Sequence, residues 1–434
     1  MKHYELAVKF YKQKGPRHDK SLWTIRQKRD KAVKEVPEWE ELRNKASEIK
    51  DYVIENLHSL VDEFIKNAKN AGIEVVFAKD AKEHNETVLK YLKQINAEKI
   101  VKSKSMLTEE CGLNEFLQKN GIEVIDTDLG ERIVQLRGEK PSHIVLPAIH
   151  TTKEDVAEIL NETNTDPTYL THKMRKLLRK EFLSADAGLS GANFIVADKG
   201  WAVVCTNEGN ADLGAVLPPL HIISVGIEKI VPNLEALGVF LRMLARNATG
   251  QKITTYTSIF GKKENGKRMI ILVDNGRFER VKSEFKQTLK CIRCSACLTT
   301  CPVFRRSGGH SYRYVIPGPI GSLLAPLSDK EEYSDLPFAC TLCGSCEAVC
   351  PVKIPFTKQL VNMRHYVKSM ENGELRIENL GFKFIEKSMH SPKMFKLFST
   401  ILRLTPKPLL ESVAKEWSRY KALPAIPKER FISL

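Results

Sequence analysis

The chain has 434 residues, 42% of them hydrophobic and 28% charged, the composition of a globular protein with about two to three domains. No run of about 18 apolar residues occurs, which argues against a transmembrane helix. The start Met1-Lys-His-Tyr-Glu-Leu6 lacks a signal-peptide core, so a cytoplasmic protein is expected. The net charge of +15 sits at the two ends: residues 1–35 carry eleven Lys/Arg against four Asp/Glu, and residues 381–434 the same, leaving 46 basic and 45 acidic residues between them. No helix-turn-helix or RNP-type motif accompanies that charge, so a nucleic-acid partner is not expected. Basic ends suit an acidic partner subunit or a peripheral position on an anionic membrane surface.

Residues 1–36 read as a polar, basic segment with few apolar positions in phase. From Pro37 to Asn70, Trp39, Leu42, Ala46, Ile49, Val53, Leu57, Val61, Phe64 and Ala68 recur at helical steps, and Asn70-Ala-Gly72 ends the helix. Strands are expected at Gly72–Ala78, Glu98–Val101, Gly121–Ile125 and Ser142–Leu146. Helices are expected at about Ala81–Ile95, Thr108–Asn120 and Lys153–Asn161, and a basic one between Thr165 and Phe182. Short apolar strands alternating with helices predict a parallel, helix-covered sheet. A hairpin follows around Asp198-Lys-Gly200, then strands at His221–Val225 and Met269–Val273 flanking a helix over Asn233–Arg246. Residues 37–278 thus read as one α/β domain, and a helix over Phe278–Leu289 leads stiffly into the next.

That next region, residues 279–370, contains Cys291-Ile-Arg-Cys294-Ser-Ala-Cys297-Leu-Thr-Thr-Cys301-Pro302 and Cys340-Thr-Leu-Cys343-Gly-Ser-Cys346-Glu-Ala-Val-Cys350-Pro351. Both are C-x2-C-x2-C-x3-C-P, the spacing of a two-[4Fe–4S] ferredoxin. In that scheme the fourth cysteine of each run ligates the other cluster. Cys291, Cys294, Cys297 and Cys350 would hold the first, and Cys340, Cys343, Cys346 and Cys301 the second. Structural zinc uses two separated C-x2-C pairs, and a disulfide framework belongs to exported chains. The long spacer between the runs and the helical pattern after them predict a mainly α-helical module. Residues 371–434 complete the chain as a basic helical region.

With Lys102-Ser-Lys-Ser-Met-Leu-Thr-Glu-Glu110, Pro141-Ser-His-Ile-Val145, the stretch 184–210 ending in Thr206-Asn-Glu-Gly-Asn210, Val273-Asp-Asn-Gly276, Gly308-Gly-His-Ser-Tyr312 and Cys350-Pro-Val-Lys-Ile-Pro355, the chain resembles the lactate utilisation protein B family over roughly residues 37–360. The resemblance implies an α/β LUD domain with an isomerase/CoA-transferase-like fold, followed by the dicluster module. It implies two sister subunits, a cysteine-rich iron–sulfur protein and a stand-alone LUD protein, in a complex oxidising L-lactate to pyruvate. Relatives of the fold bind phosphorylated or carboxylated molecules, which makes Lys102, Lys104, Asn193, Asn207, Glu208 and Asn210 candidate pocket residues; Asn207–Asn210 reads equally as a polar turn. The alternative function is an enzyme of the LUD domain acting on a phosphorylated or acyl substrate, with structural or regulatory clusters. His143, His150 and His221 read as core histidines, Cys205 as packing, and Cys111 as a thiol with no activating neighbour. No G-x-G-x-x-G marks a flavin or nicotinamide site.

Overall fold

The computed structural model describes residues 2–368, 386, 390–406 and 408–410. Its strands are β1 (Glu74–Ala78), β2 (Lys99–Lys102), β3 (Glu123–Asp126), β4 (Ala187–Gly191), β5 (Phe194–Val196), β6 (Trp201–Thr206), β7 (Leu220–Gly226), β8 (Ile230–Val231), β9 (Tyr256–Phe260) and β10 (Lys267–Val273). Six of them form a parallel sheet in the order β1-β10-β7-β4-β2-β3. The central strands are mostly apolar because helices cover both faces. Ile223, Val225, Ile270 and Leu272 face one apolar cluster with Leu57, Val61 and Phe64. Ile222, Met269, Ile271 and Val273 face another with Val88 and Leu92. A four-stranded sheet, β8-β5-β6-β9, contains the expected hairpin, which turns at Gly200 with a left-handed φ of 66°.

Several elements differ from the sequence expectation. Ser142–Leu146 is not a strand: prolines flank it at 141 and 147, and the buried His143 Nδ1 accepts the N–H groups of Val145 and Leu146, fixing a loop. The helix over 37–70 is two, Trp39–Glu55 and Leu57–Asn70, joined at Asn56. The helix over 108–120 is also two, Met106–Glu110 and Leu113–Lys119, because Gly112 adopts a left-handed φ of 63°. The lead-in to the first cysteine is a short helix, Arg277–Val281, and a 3-10 turn, Lys286–Lys290. Strand β9 was not expected. The N-terminal segment, polar and basic with few apolar positions in phase, is a helix, His3–Lys34.

That helix lies against the cysteine region. Leu22 is fully buried in a core shared with Trp39, Phe240, Leu298, Phe304 and Tyr312. Arg26 donates to Thr300 Oγ1, Arg29 Nη2 to the Val349 carbonyl at 3.1 Å, and Arg17 to the carbonyls of His150 and Thr151. Residues Met1–Val367 accordingly form one compact unit, and Lys368–Leu434 a second. Of the basic C-terminal region, the helix Pro392–Leu404 is described; most of the remainder lies outside the described residues.

The seam under the N-terminal helix is rich in histidine. His18 Nδ1 bonds the Arg305 carbonyl at 2.7 Å, His3 packs edge-on to Tyr312, and His150 lies 2.7 Å from Glu139. Burial holds these rings neutral: His3 is lowered to about 4, His143 to about 3 and His150 to about 4, the last despite Glu139. An unfolded histidine takes its proton near pH 6.5. The stabilisation from these neutral rings is therefore complete above about pH 6.5 and is lost as pH falls toward their folded values. We expect the urea midpoint to drop by several tenths of a molar or more between about pH 7 and pH 5, read by circular dichroism; an unchanged midpoint would contradict the burial of these rings.

Candidate iron–sulfur centre and adjoining cavity

The two cysteine runs share a backbone as well as a spacing. Two residues after Cys291 the chain turns left-handed at Arg293 (φ 60°), and again at Ser295 (φ 63°), before the helix Ala296–Thr300. Two residues after Cys340 it does so at Leu342 (φ 55°), and again at Gly344 (φ 74°), before the helix Ser345–Val349. Three of these four are not glycine, and left-handed backbone costs such residues about 1–2 kcal/mol each. Strain kept at matching positions of a repeat marks a functional loop. The two short helices pack together, with Thr300 Oγ1 2.5 Å from Ser345 Oγ. Cys301 and Cys350 are both extended, and each follows its helix.

The eight thiols divide between two cavities. One is lined by Cys291, Cys294, Cys297 and Cys350 with Ile144, Ile292 and Phe356. The other is lined by Cys301, Cys340, Cys343 and Cys346 with Leu342 and Leu360. Among the described residues no three His, Cys, Asp or Glu converge as ligands of a single metal ion would. Each set of four thiols lies in the wall of a cavity instead, a donor set suited to a cubane. Backbone N–H groups reach the sulfurs: Phe304 to Cys301 at 3.5 Å, Leu342 to Cys340 at 3.2 Å and Ile354 to Cys350 at 3.4 Å. Cations hold the ligand carbonyls. Arg43 Nε donates to Cys350 O, Lys229 Nζ to Cys291 O and Arg364 Nη2 to Cys340 O. Burial raises the free thiols, Cys294 to about 12 and Cys301 and Cys350 to about 11, so cluster assembly must release protons from them. The first set is the more enclosed, while Cys343 of the second is exposed.

A third cavity, of about 250 Å³, lies where the parallel strands end. Its walls come from Ser103–Leu107 after β2, Gly191–Asn193 at the end of β4 and Ser224–Gly226 of β7, the usual ligand position in such a sheet. Lys104, Asn193, Asn207, Glu208 and Asn210 line it. Lys102 does not: it is wholly buried beside Asp126 (2.8 Å), Glu109 (3.1 Å) and Glu131 (3.9 Å). Residues 206–210 also form a bonded turn, in which Glu208 accepts from Thr206 Oγ1 and Asn207 Oδ1 from the Thr255 N–H. The lining also includes Glu110, Glu228, Lys229, Arg277, Arg293 and Cys294, so the cavity reaches the first cysteine set. The sequence carried no sign of this second group, because its residues meet only through the fold. His221 is buried between Ser190 and Arg268, and Cys205 is raised to about 11 by burial.

Residues 61–278 match the LUD domain family and residues 287–354 the 4Fe-4S dicluster domain family. Lactate utilization protein B of Bacillus velezensis is 39% identical over 429 residues, 94% of this chain and 90% of that one. The protein of the same name from Shouchella clausii is 40% identical, over 92% of this chain and 89% of that one. The chain belongs to the lactate utilization protein B family. A third member, from Bacillus subtilis strain 168, is 38% identical over 94% of this chain and 90% of its own length. A crystal structure of a DUF162 family protein from Deinococcus radiodurans aligns at 13% identity with a TM-score of 0.30, over 50% of this chain and 98% of that one. In this family member the LUD region is the mainly parallel α/β part and the dicluster region the helical part that follows it, an iron–sulfur protein. Among the described residues no helix is long and apolar enough to cross a membrane.

Proposed function

We propose that this lactate utilization protein B homologue is the electron-transfer subunit of a complex that oxidises L-lactate to pyruvate, and that it carries two [4Fe–4S] clusters. Cys291, Cys294, Cys297 and Cys350 would hold the first, and Cys340, Cys343, Cys346 and Cys301 the second. The observation that carries this reading is the division of the eight thiols between two cavities, each drawing three from one run and one from the other. Bound there, the clusters supply one-electron transfer, and the chain's own residues set its conditions. Ile144, Ile292 and Phe356 keep water from the first site. The N–H groups of Phe304, Leu342 and Ile354 stabilise charge on the sulfurs, a lever on potential. Exposed Cys343 gives the second site its contact with a further carrier. Partners would be a cysteine-rich iron–sulfur subunit and a stand-alone LUD subunit, with a final acceptor at the membrane surface.

The test is anaerobic purification with co-purifying partners and EPR before and after L-lactate. Reduced-cluster signals should grow on addition; signals that ignore lactate in the assembled complex sink the proposal. Turnover of a phosphorylated or acyl compound by the single chain, with no electron acceptor present, would favour a LUD-domain enzyme instead.

A further inference from the structure

A chain that only relays electrons has no need of a polar cavity against its more enclosed cysteine set. Four cationic and four anionic side chains line that cavity: Lys104, Lys229, Arg277 and Arg293 against Glu110, Asp128, Glu208 and Glu228. Most are already paired. Arg277 Nη2 lies 3.0 Å from Glu110 and its Nε bonds Glu228, while Lys104 Nζ lies 2.7 Å from Asp128. Lys229 donates to a backbone carbonyl, with no carboxylate within ion-pair distance among the described residues. Arg293 stands out: its Nη1 is buried and has no hydrogen-bond partner among the described residues. A buried guanidinium N–H lacking an acceptor is costly, and the natural acceptor is a carboxylate, which its planar fork engages in two parallel bonds.

We infer that this cavity binds a small monocarboxylate, a 2-hydroxy or 2-oxo acid, whose carboxylate sits on Arg293 beside Lys229. Three observations narrow the ligand. The volume of about 250 Å³ lies at the small end of ligand sites, which run to roughly 300–1,000 Å³ for drug-sized molecules, and suits a small occupant. The balanced lining of four cationic and four anionic side chains disfavours a phosphate dianion and accepts a single negative charge. Ser103, Ser105, Thr206 and Asn193 supply short polar groups that suit a hydroxyl or keto oxygen at the neighbouring carbon. Cys294 lines both this cavity and the first cysteine-lined one, so the acid lies against the first cluster site. Arg293 lines the polar cavity and sits within the Cys291–Cys294 turn, beside Cys294 in sequence. The identity of the acid rests on the lactate reading; the existence of the anion site does not.

The test uses the full chain with clusters reconstituted anaerobically, titrated with pyruvate, L-lactate and inorganic phosphate by calorimetry. EPR of the dithionite-reduced protein is recorded with and without pyruvate. Pyruvate should bind at one site per chain, more tightly than phosphate, and alter the signal of one cluster. Arg293→Lys should weaken binding about tenfold or more, since a lysine cannot make the bidentate contact. Because Arg293 neighbours two cysteines, Ala248→Trp at the cavity wall provides an independent block: iron content and the ligand-free EPR signal stay, and pyruvate binding is lost. Phosphate binding more tightly than pyruvate, no carboxylate binding by iron-replete protein, or binding indifferent to Ala248→Trp would each overturn the inference. The two proposals fail separately. Clusters that respond to lactate in the assembled complex while the single chain binds no carboxylate refute the site alone. A chain that binds pyruvate but whose clusters ignore lactate refutes the electron-transfer role alone.

Discussion

Cys350→Ser is expected to give the EPR spectrum of Cys294→Ser, not that of its sequence neighbour Cys343→Ser. The reason is the crossed division of thiols: Cys350 lies in the cavity wall with Cys291, Cys294 and Cys297, although it belongs to the second run. Cys301→Ser should correspondingly resemble Cys343→Ser. Each variant should retain roughly half the iron, because three sulfurs of one site and all four of the other remain. If each run instead serves its own cluster, the pairings reverse, and Cys350→Ser falls in with Cys343→Ser. Thermal stability should fall as well. Cys294, Cys297, Cys346 and Cys350 belong to the same buried core as Leu298, Phe304 and Phe356, and metal ligation to such a core is part of folding free energy. Stronger loss is expected for Cys350→Ser than for Cys343→Ser, since Cys350 is 5% exposed and Cys343 is open to solvent.

The parts of this fold legible in sequence are those with one dominant period. β7 and β10 are mostly apolar, through Ile222, Ile223 and Val225 and through Met269–Val273, and lie in the middle of the parallel sheet, where both faces are covered. β9 escaped because it pairs only with β6 and its residues are mostly half-buried or exposed, so Tyr256-Thr-Ser-Ile-Phe260 lacks a clear core face. Ser142–Leu146 misled for the converse reason: Ile144 is buried against the cysteine region rather than in a sheet. The helix His3–Lys34 carries too few apolar positions to declare itself. Its fixed contacts are largely polar, Arg17, Arg26 and Arg29 reaching carbonyls and hydroxyls far along the chain. A charge count reads those arginines as a solvated tail, and only the fold brings them to the cysteine region. The candidate cavity was half legible. Lys104, Asn193, Asn207, Glu208 and Asn210 line it, yet nothing in their spacing announces Arg293 or Glu228 in the same lining. Lys102, two residues from Lys104, is instead neutralised by Asp126 and Glu109 behind the strand end.

Arg277→Met should be the most damaging single substitution outside the cysteines. Arg277 is 3% exposed and ties three elements together, its own helix after β10, Glu110 at the end of Met106–Glu110, and Glu228 in the turn after β7. The approach is close enough that a Cβ on Gly226 would stand 2.2 Å from Glu228 Oε2. Burial by itself would raise Glu228, yet Arg277, Lys229 and Arg293 hold it down at about 2; Glu110 is lowered likewise, burial opposing and Arg277 prevailing. Methionine fills the space but deprives two buried carboxylates of the arginine they share as ion-pair partner, a loss of about 3–5 kcal/mol at neutral pH. Both carboxyls then shift upward toward the range of buried acids, and protonation relieves the repulsion. The deficit relative to the parent chain should therefore shrink as pH falls from about 7 to about 5.5, measured by urea unfolding at each pH. Glu228→Gln added to Arg277→Met should recover part of the loss at neutral pH and flatten that dependence, because only one carboxylate then lacks that arginine. A deficit independent of pH would mean that the arginine acts by packing alone, and that the wall between the sheet and the first cysteine set is held by shape and not by charge.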